Sequence, residues 1–216
     1  FASKTGEQLS VGMKVLVRVT ITYHELYGLS FQIQDIDPTY TLGDWEQQRQ
    51  QTIARLQEEG VWDMNRELGV PRVPQRVAVV SSANAAGYQD FRKEIARSPY
   101  RVELTLFDAF MQGHGAEDSI IEALERVAER ADEFDVVAVI RGGGSQSDLA
   151  CFNSYRLCAH VAQFPLPVVT GIGHDKDESV ADMVAARRLK TPTAVAAWVV
   201  EELSEFDGEL EALGKA

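Results

Sequence analysis

Three short stretches of this chain hold residue types that could handle a phosphate. The first is Arg141-Gly142-Gly143-Gly144-Ser145. A strand-to-helix turn without Cβ atoms lets backbone N–H groups face an anion, and a helix N-terminus adds positive potential. Arg141 can set a planar, always-charged guanidinium beside the same anion. The competing reading is a sharp turn needing positive φ, with Arg141 merely salt-bridged. The spacing is neither Walker A nor G-x-G-x-x-G, so ATP and NAD sites are not supported.

The second stretch is Gly173-His174-Asp175-Lys176-Asp177. His174 and Asp177 are spaced to share one side of a helix start. Histidine titrates near neutrality and can take a proton from water or give one to a leaving oxygen. Asp177 could orient the imidazole, hold a metal, or simply cap the helix. The third is Asp90, on a helix that follows the loop Ser82-Ala83-Asn84-Ala85-Ala86-Gly87. Alone it reads as a solvated carboxylate; beside the other two loops it reads as catalytic. Together these groups suit phosphoester hydrolysis, in which water attacks in line and Arg141 and the loop amides stabilise the growing charge.

The elements that must position them are regular from Gln75 onward. Four short apolar runs, Arg76–Ser81, Arg101–Phe107, Asp135–Ile140 and Leu166–Thr170, alternate with helices near 86–97, 116–131, 147–163 and from about Asp177. This pattern predicts an α/β fold, a doubly wound parallel sheet of four or more strands with helices on both faces. Ligands of such sheets bind beyond the carboxyl ends of the strands, where the strand order reverses. With the order two-one-three-four, the loops after strands one, three and four are neighbours. The loop after strand two, with His114, lies further away and reads as structural; His24 and His160 read as structural or exposed. Upstream, residues 11–36 alternate as a small antiparallel hairpin with a turn at Tyr27-Gly28, and 44–68 read as helix broken at Gly60.

Composition narrows the class. The 216 residues are 45% apolar and 25% charged, ordinary for a globular chain. Net charge is −12, with 33 acids against 21 bases, which argues against a protein that coats nucleic acid but not against a nuclease with a few local cations. The densest basic cluster is Arg187, Arg188 and Lys190. Cys151 and Cys158 fall on one expected helix, two turns and ~10 Å apart, too far to bond. They read as reduced core cysteines suited to the cytoplasm. No apolar run reaches the ~18 residues of a membrane span, and no zinc-type Cys/His spacing occurs. The chain opens on Phe1 with no leader pattern and reads as an excerpt of a longer protein.

Several motifs in order resemble one known family. Arg141-Gly-Gly-Gly-Ser145, Asp148-Leu149, Phe152-Asn153, Gly173-His174-x-x-Asp177, Ala181-Asp182 and Thr191-Pro192-Thr193 are similar to the large subunit of bacterial exodeoxyribonuclease VII. So are Val79-Val80-Ser81-Ser82, Asp90-Phe91 and Leu56-x-x-Glu59-Gly60. The likeness covers about residues 10–195. It departs at Ala85-Ala86-Gly87, where the family's glycine precedes the two alanines, and at Leu189-Lys190-Thr191-Pro192-Thr193, where the family has Leu-Arg and the arginine here stands at 187 or 188 instead.

The resemblance implies a nuclease that hydrolyses single-stranded DNA to oligonucleotides, with Asp90, Arg141, His174 and Asp177 as catalytic residues. Gly142, Gly143, Gly144, Ser145, Arg187 and Arg188 would hold phosphate or DNA. Mg²⁺ or Mn²⁺ is optional, with Asp90 and Asp177 its ligands if present. The implied domains are 1–43, the last strands of an OB-fold; 44–75, a helical connector; 76–198, the α/β catalytic domain; and 199–216, the start of a helical region that binds several small subunits. The alternative is a non-catalytic nucleotide- or phosphate-binding module of a larger assembly.

Overall fold

The computed structural model describes residues 14–113, 115–143, 146–173 and 178–215. The chain divides into two compact units, Phe1–Gln51 and Thr52–Ala216. In the first, β1 (Leu16–His24) and β2 (Gly28–Asp37) form an antiparallel hairpin. Its pairs Val19–Ile33 and Ile21–Phe31 match apolar with apolar, as the period of two requires, and a register shift falls between Arg18 and Val19. Helix α1 (Pro38–Glu58) follows, and the short α2 (Met64–Glu67) lies beyond Gly60, the break expected there.

The second unit is an α/β sandwich. Strands β3 (Arg76–Ser81), β4 (Glu103–Asp108), β5 (Val136–Ile140), β6 (Val168–Gly171) and β7 (Arg187–Arg188) form a parallel sheet in the order β4-β3-β5-β6-β7. That is the expected order with one strand added. The fifth strand is two residues long and polar, so no apolar run announces it. The helices are α3 (Ala86–Arg97), α4 (Ala116–Ala128), α5 (Tyr155–Ala162), α6 (Val180–Val184) and α7 (Pro192–Gly214).

The apolar runs are continuous because both faces of the sheet are covered. Val77, Val79, Val136, Ala138, Ile140 and Val169 point into a core made with Phe91 and Ile95 of α3 and Trp198 and Val199 of α7. The alternate residues Ala78, Val80, Val137, Val139 and Val168 point the other way, onto Ile120 and Leu124 of α4, Leu157 of α5 and Val180 of α6. Leu56 of α1 is fully buried in that second core.

Two sequence expectations are corrected. Residues 147–163 are not one helix: a 3₁₀ segment (Gln146–Asn153) is separated from α5 by Ser154, whose side chain accepts from Leu157 N–H and caps the new helix. Cys151 and Cys158 therefore sit on different elements. Neither forms a disulfide; burial pushes the Cys151 thiol up to about 11 and Cys158 well above its usual range, which disfavours the thiolate in both. The helix expected from about Asp177 starts at Val180 instead. Its cap is Ser179, in a capping box with Asp182; Asp177 lies outside the described residues.

Asn65 ties the edge of this unit together. Fully buried, it donates through Nδ2 to the carbonyls of Phe164 (3.1 Å) and Leu166 (2.8 Å). Its Oδ1 accepts from the N–H groups of Val168 (2.9 Å) and Ala186 (3.0 Å). One side chain thus satisfies backbone on both sides of β6. Asn65→Leu keeps the bulk and orphans those groups. It should cost about 2–5 kcal/mol in urea unfolding, and a loss under about 0.5 kcal/mol would contradict this role.

Candidate active site

The strand order reverses between β3 and β5, and their carboxyl ends are stitched together. Buried Ser81, the last residue of β3, donates its hydroxyl to the Ile140 carbonyl at 2.9 Å. Arg141 N–H continues the ladder to the Gly171 carbonyl at 3.1 Å. Above this seam lies a cavity of about 760 Å³. Its walls come from four segments: Ser82–Asp90 after β3, Phe110–Gln112 after β4, Arg141–Gly143 after β5, and Thr191–Thr193 after β7.

The loop after β3 is braced from outside. Ala83 N–H donates to Asp108 Oδ1 at 2.7 Å, and Gln89 Nε2 donates to the Ala83 carbonyl at 2.8 Å. Helix α3 then starts at the cavity wall with Ala85 in the N-cap position, which offers no side-chain cap. Its first-turn amides thus lie at the cavity with no N-cap side chain to serve them. The start of α7 differs: Thr191 caps it through Ala194 N–H at 3.1 Å, with Pro192 in the first turn.

The two loops touch backbone to backbone. A Cβ on Gly87 would lie 2.8 Å from Gly142 Cα, 2.9 Å from Gly142 N and 3.0 Å from Pro192 Cγ. A Cβ on Gly142 would lie 3.3 Å from Gly87 N. Gly142 and Gly143 do not have positive φ, so the turn geometry weighed for them is not why they are glycine. At Gly142 room is tight, and a Cβ would need the Gly87 backbone to give by a few tenths of an ångström. Gly171 plays a similar part below, where a Cβ would meet Val195 of α7 at 2.6 Å.

Arg141 is 4% exposed and lines the cavity beside these glycines. Asp90 lines it too, with its carboxylate more than half exposed and 3.3 Å from Lys93 Nζ one turn along α3. So Asp90, Arg141, Gly142 and Gly143 share one hollow. His174, Asp177, Gly144 and Ser145, like His114, lie outside the described residues. Among the described residues no group of three or more His, Cys, Asp or Glu could hold a metal ion. Asp90 is the one carboxylate among the described lining residues; it could supply a single ligand to Mg²⁺, which takes its others from water and phosphate.

The comparison with known families decides the kinship. The family model of the exonuclease VII large subunit matches residues 61–216. This chain belongs to that family. A Deinococcus radiodurans protein named exodeoxyribonuclease 7 large subunit is 42% identical over 200 residues, 91% of this chain and 48% of the relative. A Lactobacillus helveticus protein of the same name is 35% identical over 198 residues, 90% of this chain and 43% of the relative. The chain spans about half the length of these relatives or less.

Two further residues expected to hold phosphate or DNA, Arg187 and Arg188, carry ion pairs at the sheet edge. Arg187 pairs with Glu202 at 3.2 Å and lies over the Trp198 ring at 5.3 Å; Arg188 pairs with Glu178 at 3.1 Å. Neither is among the residues lining the cavity. Conversely, the loop after β4 was expected to lie away from the crevice, yet Phe110, Met111 and Gln112 form part of its wall. Because β4 neighbours β3, its loop needs to reach only one strand across. No charged or glycine signal marks these three residues.

The shifted glycine of the family pattern has its explanation in this contact, since Gly87 sits where helix and loop have no space for a side chain. Gly87→Ala should push α3 from Gly142. We expect about 1–3 kcal/mol lower stability and a tenfold or greater loss of phosphate-analogue affinity, read by denaturation and isothermal titration. Unchanged affinity would mean the contact does not shape the hollow.

Proposed function

We propose that this chain is the phosphodiester-cleaving part of an exonuclease VII large subunit and that its substrate is single-stranded DNA. The observation that carries the reading is the shared hollow. A buried guanidinium, backbone amides of a glycine loop, an uncapped helix start and an exposed carboxylate converge at the switch point, in a chain of this family.

The scissile phosphate sits against the Gly142–Gly143 loop and the first turn of α3. Arg141 and these amides stabilise the charge that grows on the non-bridging oxygens. Burial fixes the guanidinium before substrate arrives, so no reorganisation is needed in the transition state. Asp90 accepts a hydrogen bond from the attacking water and orients it in line. The water oxygen bonds to phosphorus as the bond to the leaving sugar oxygen breaks. The proton transfers belong to His174 and Asp177, whose roles rest on the family likeness; between them they take the water's proton and deliver one to the departing oxygen. A bound Mg²⁺ would add charge neutralisation at Asp90. Helix α7 leads into the region that engages small-subunit copies.

The test is digestion of single-stranded DNA by the full-length large subunit assembled with its small subunit. Arg141→Lys, Asp90→Asn and His174→Ala should each lower kcat by roughly 100- to 1,000-fold while the complex still assembles. Wild-type rates in all three would overturn the assignment and favour a hollow that binds phosphate without cutting.

A further inference from the structure

Phe110 is 71% exposed, although the residues on either side, Ala109 and Met111, are buried in the core at 4% and 5%. Its backbone is pinned. Phe110 N–H donates to Ser119 Oγ at 3.0 Å, and Ala109 N–H donates to the Ser81 carbonyl at 3.0 Å. One residue further back, the Asp108 carbonyl accepts from Arg126 Nη2 at 3.0 Å. The segment is therefore held on both sides while the ring projects from it and lines the cavity that also holds Asp90 and Arg141.

A scattered exposed aromatic needs no explanation. This one faces the same hollow as the phosphate seat. It has no polar atom, so it can offer only apolar area and a π-face. A nucleotide needs both features at once: a charged seat for its phosphate and a flat apolar surface for its base. Resting on the nuclease reading above, we infer that Phe110 is a stacking platform for a base of the bound strand, and that it makes the site prefer single strands. In a duplex both faces of a base are covered by its neighbours, so stacking on Phe110 requires a base that is free to leave the stack. A pinned backbone places the ring in advance and lowers the ordering cost of binding.

The test pairs two proteins with two ligands in the assembled full-length complex. Wild type and Phe110→Ala are compared on a short deoxyadenosine oligomer and on an oligomer of the same length carrying abasic sugars. Kd is read by fluorescence anisotropy, and KM and kcat by digestion. Phe110→Ala should weaken Kd and raise KM for the base-bearing strand by roughly 5- to 150-fold, with a much smaller effect on the abasic strand. Phe110→Trp should restore the base-bearing values. Equal losses on both strands, or none on either, would overturn the stacking role. The two readings fail separately. A wild-type complex that binds but does not cut, with the base-dependent loss intact, would sink the hydrolytic role and leave the platform standing. One that neither binds nor cuts would sink both.

Discussion

The geometry of the hollow depends on a contact with no side chain in it. Gly87 and Gly142 meet backbone to backbone, and Pro192 closes the third side. A Cβ at Gly87 would intrude on the other loop, and one at Gly142 would be tight against Gly87, so hydrogen at Gly87 is what allows this closeness. It brings the start of α3 and the loop after β5 to one point, and with them Asp90 and Arg141. Below it, Ser81 bridges the ends of β3 and β5, and Gly171 lets α7 lie close on β6. The floor is rigid and buried; the groups facing the opening, Asp90 and Phe110, are exposed. This division suits a site that must fix charge in advance yet admit a long polymer.

Much of the scaffold was legible because burial on both faces leaves a simple trace in sequence. Val77 through Val80 and Val136 through Ile140 are continuous apolar runs for that reason, and the helices between them follow from their periodicity. The switch point followed from strand order alone, and Arg141 with its glycines stood out by type. What escaped carries no such trace. Two polar residues, Arg187 and Arg188, become a strand only because β6 offers an edge. Asn65 looks like any helix-end asparagine, yet it serves four backbone groups distant in sequence. Nothing in its residue type separates Phe110 from its buried neighbours Ala109 and Met111.

Charge is arranged locally rather than globally. The chain carries −12 overall, yet Arg141 is buried at the carboxyl ends of the strands beside an uncapped helix start. Arg187 and Arg188, two members of the basic cluster that stands out in sequence, pair with Glu202 and Glu178. An acidic surface with a buried cationic floor would bind a phosphate where amides and guanidinium converge and repel it elsewhere.

The most direct measurement is a crystal structure of the full-length complex with a short single strand bearing a non-hydrolysable phosphorothioate linkage. A non-bridging oxygen of the linkage should accept hydrogen bonds from the Arg141 guanidinium and the Gly142–Gly143 amides, with Asp90 on the side from which water attacks. A backbone that passes outside the hollow, with no phosphate touching either loop, would contradict the account.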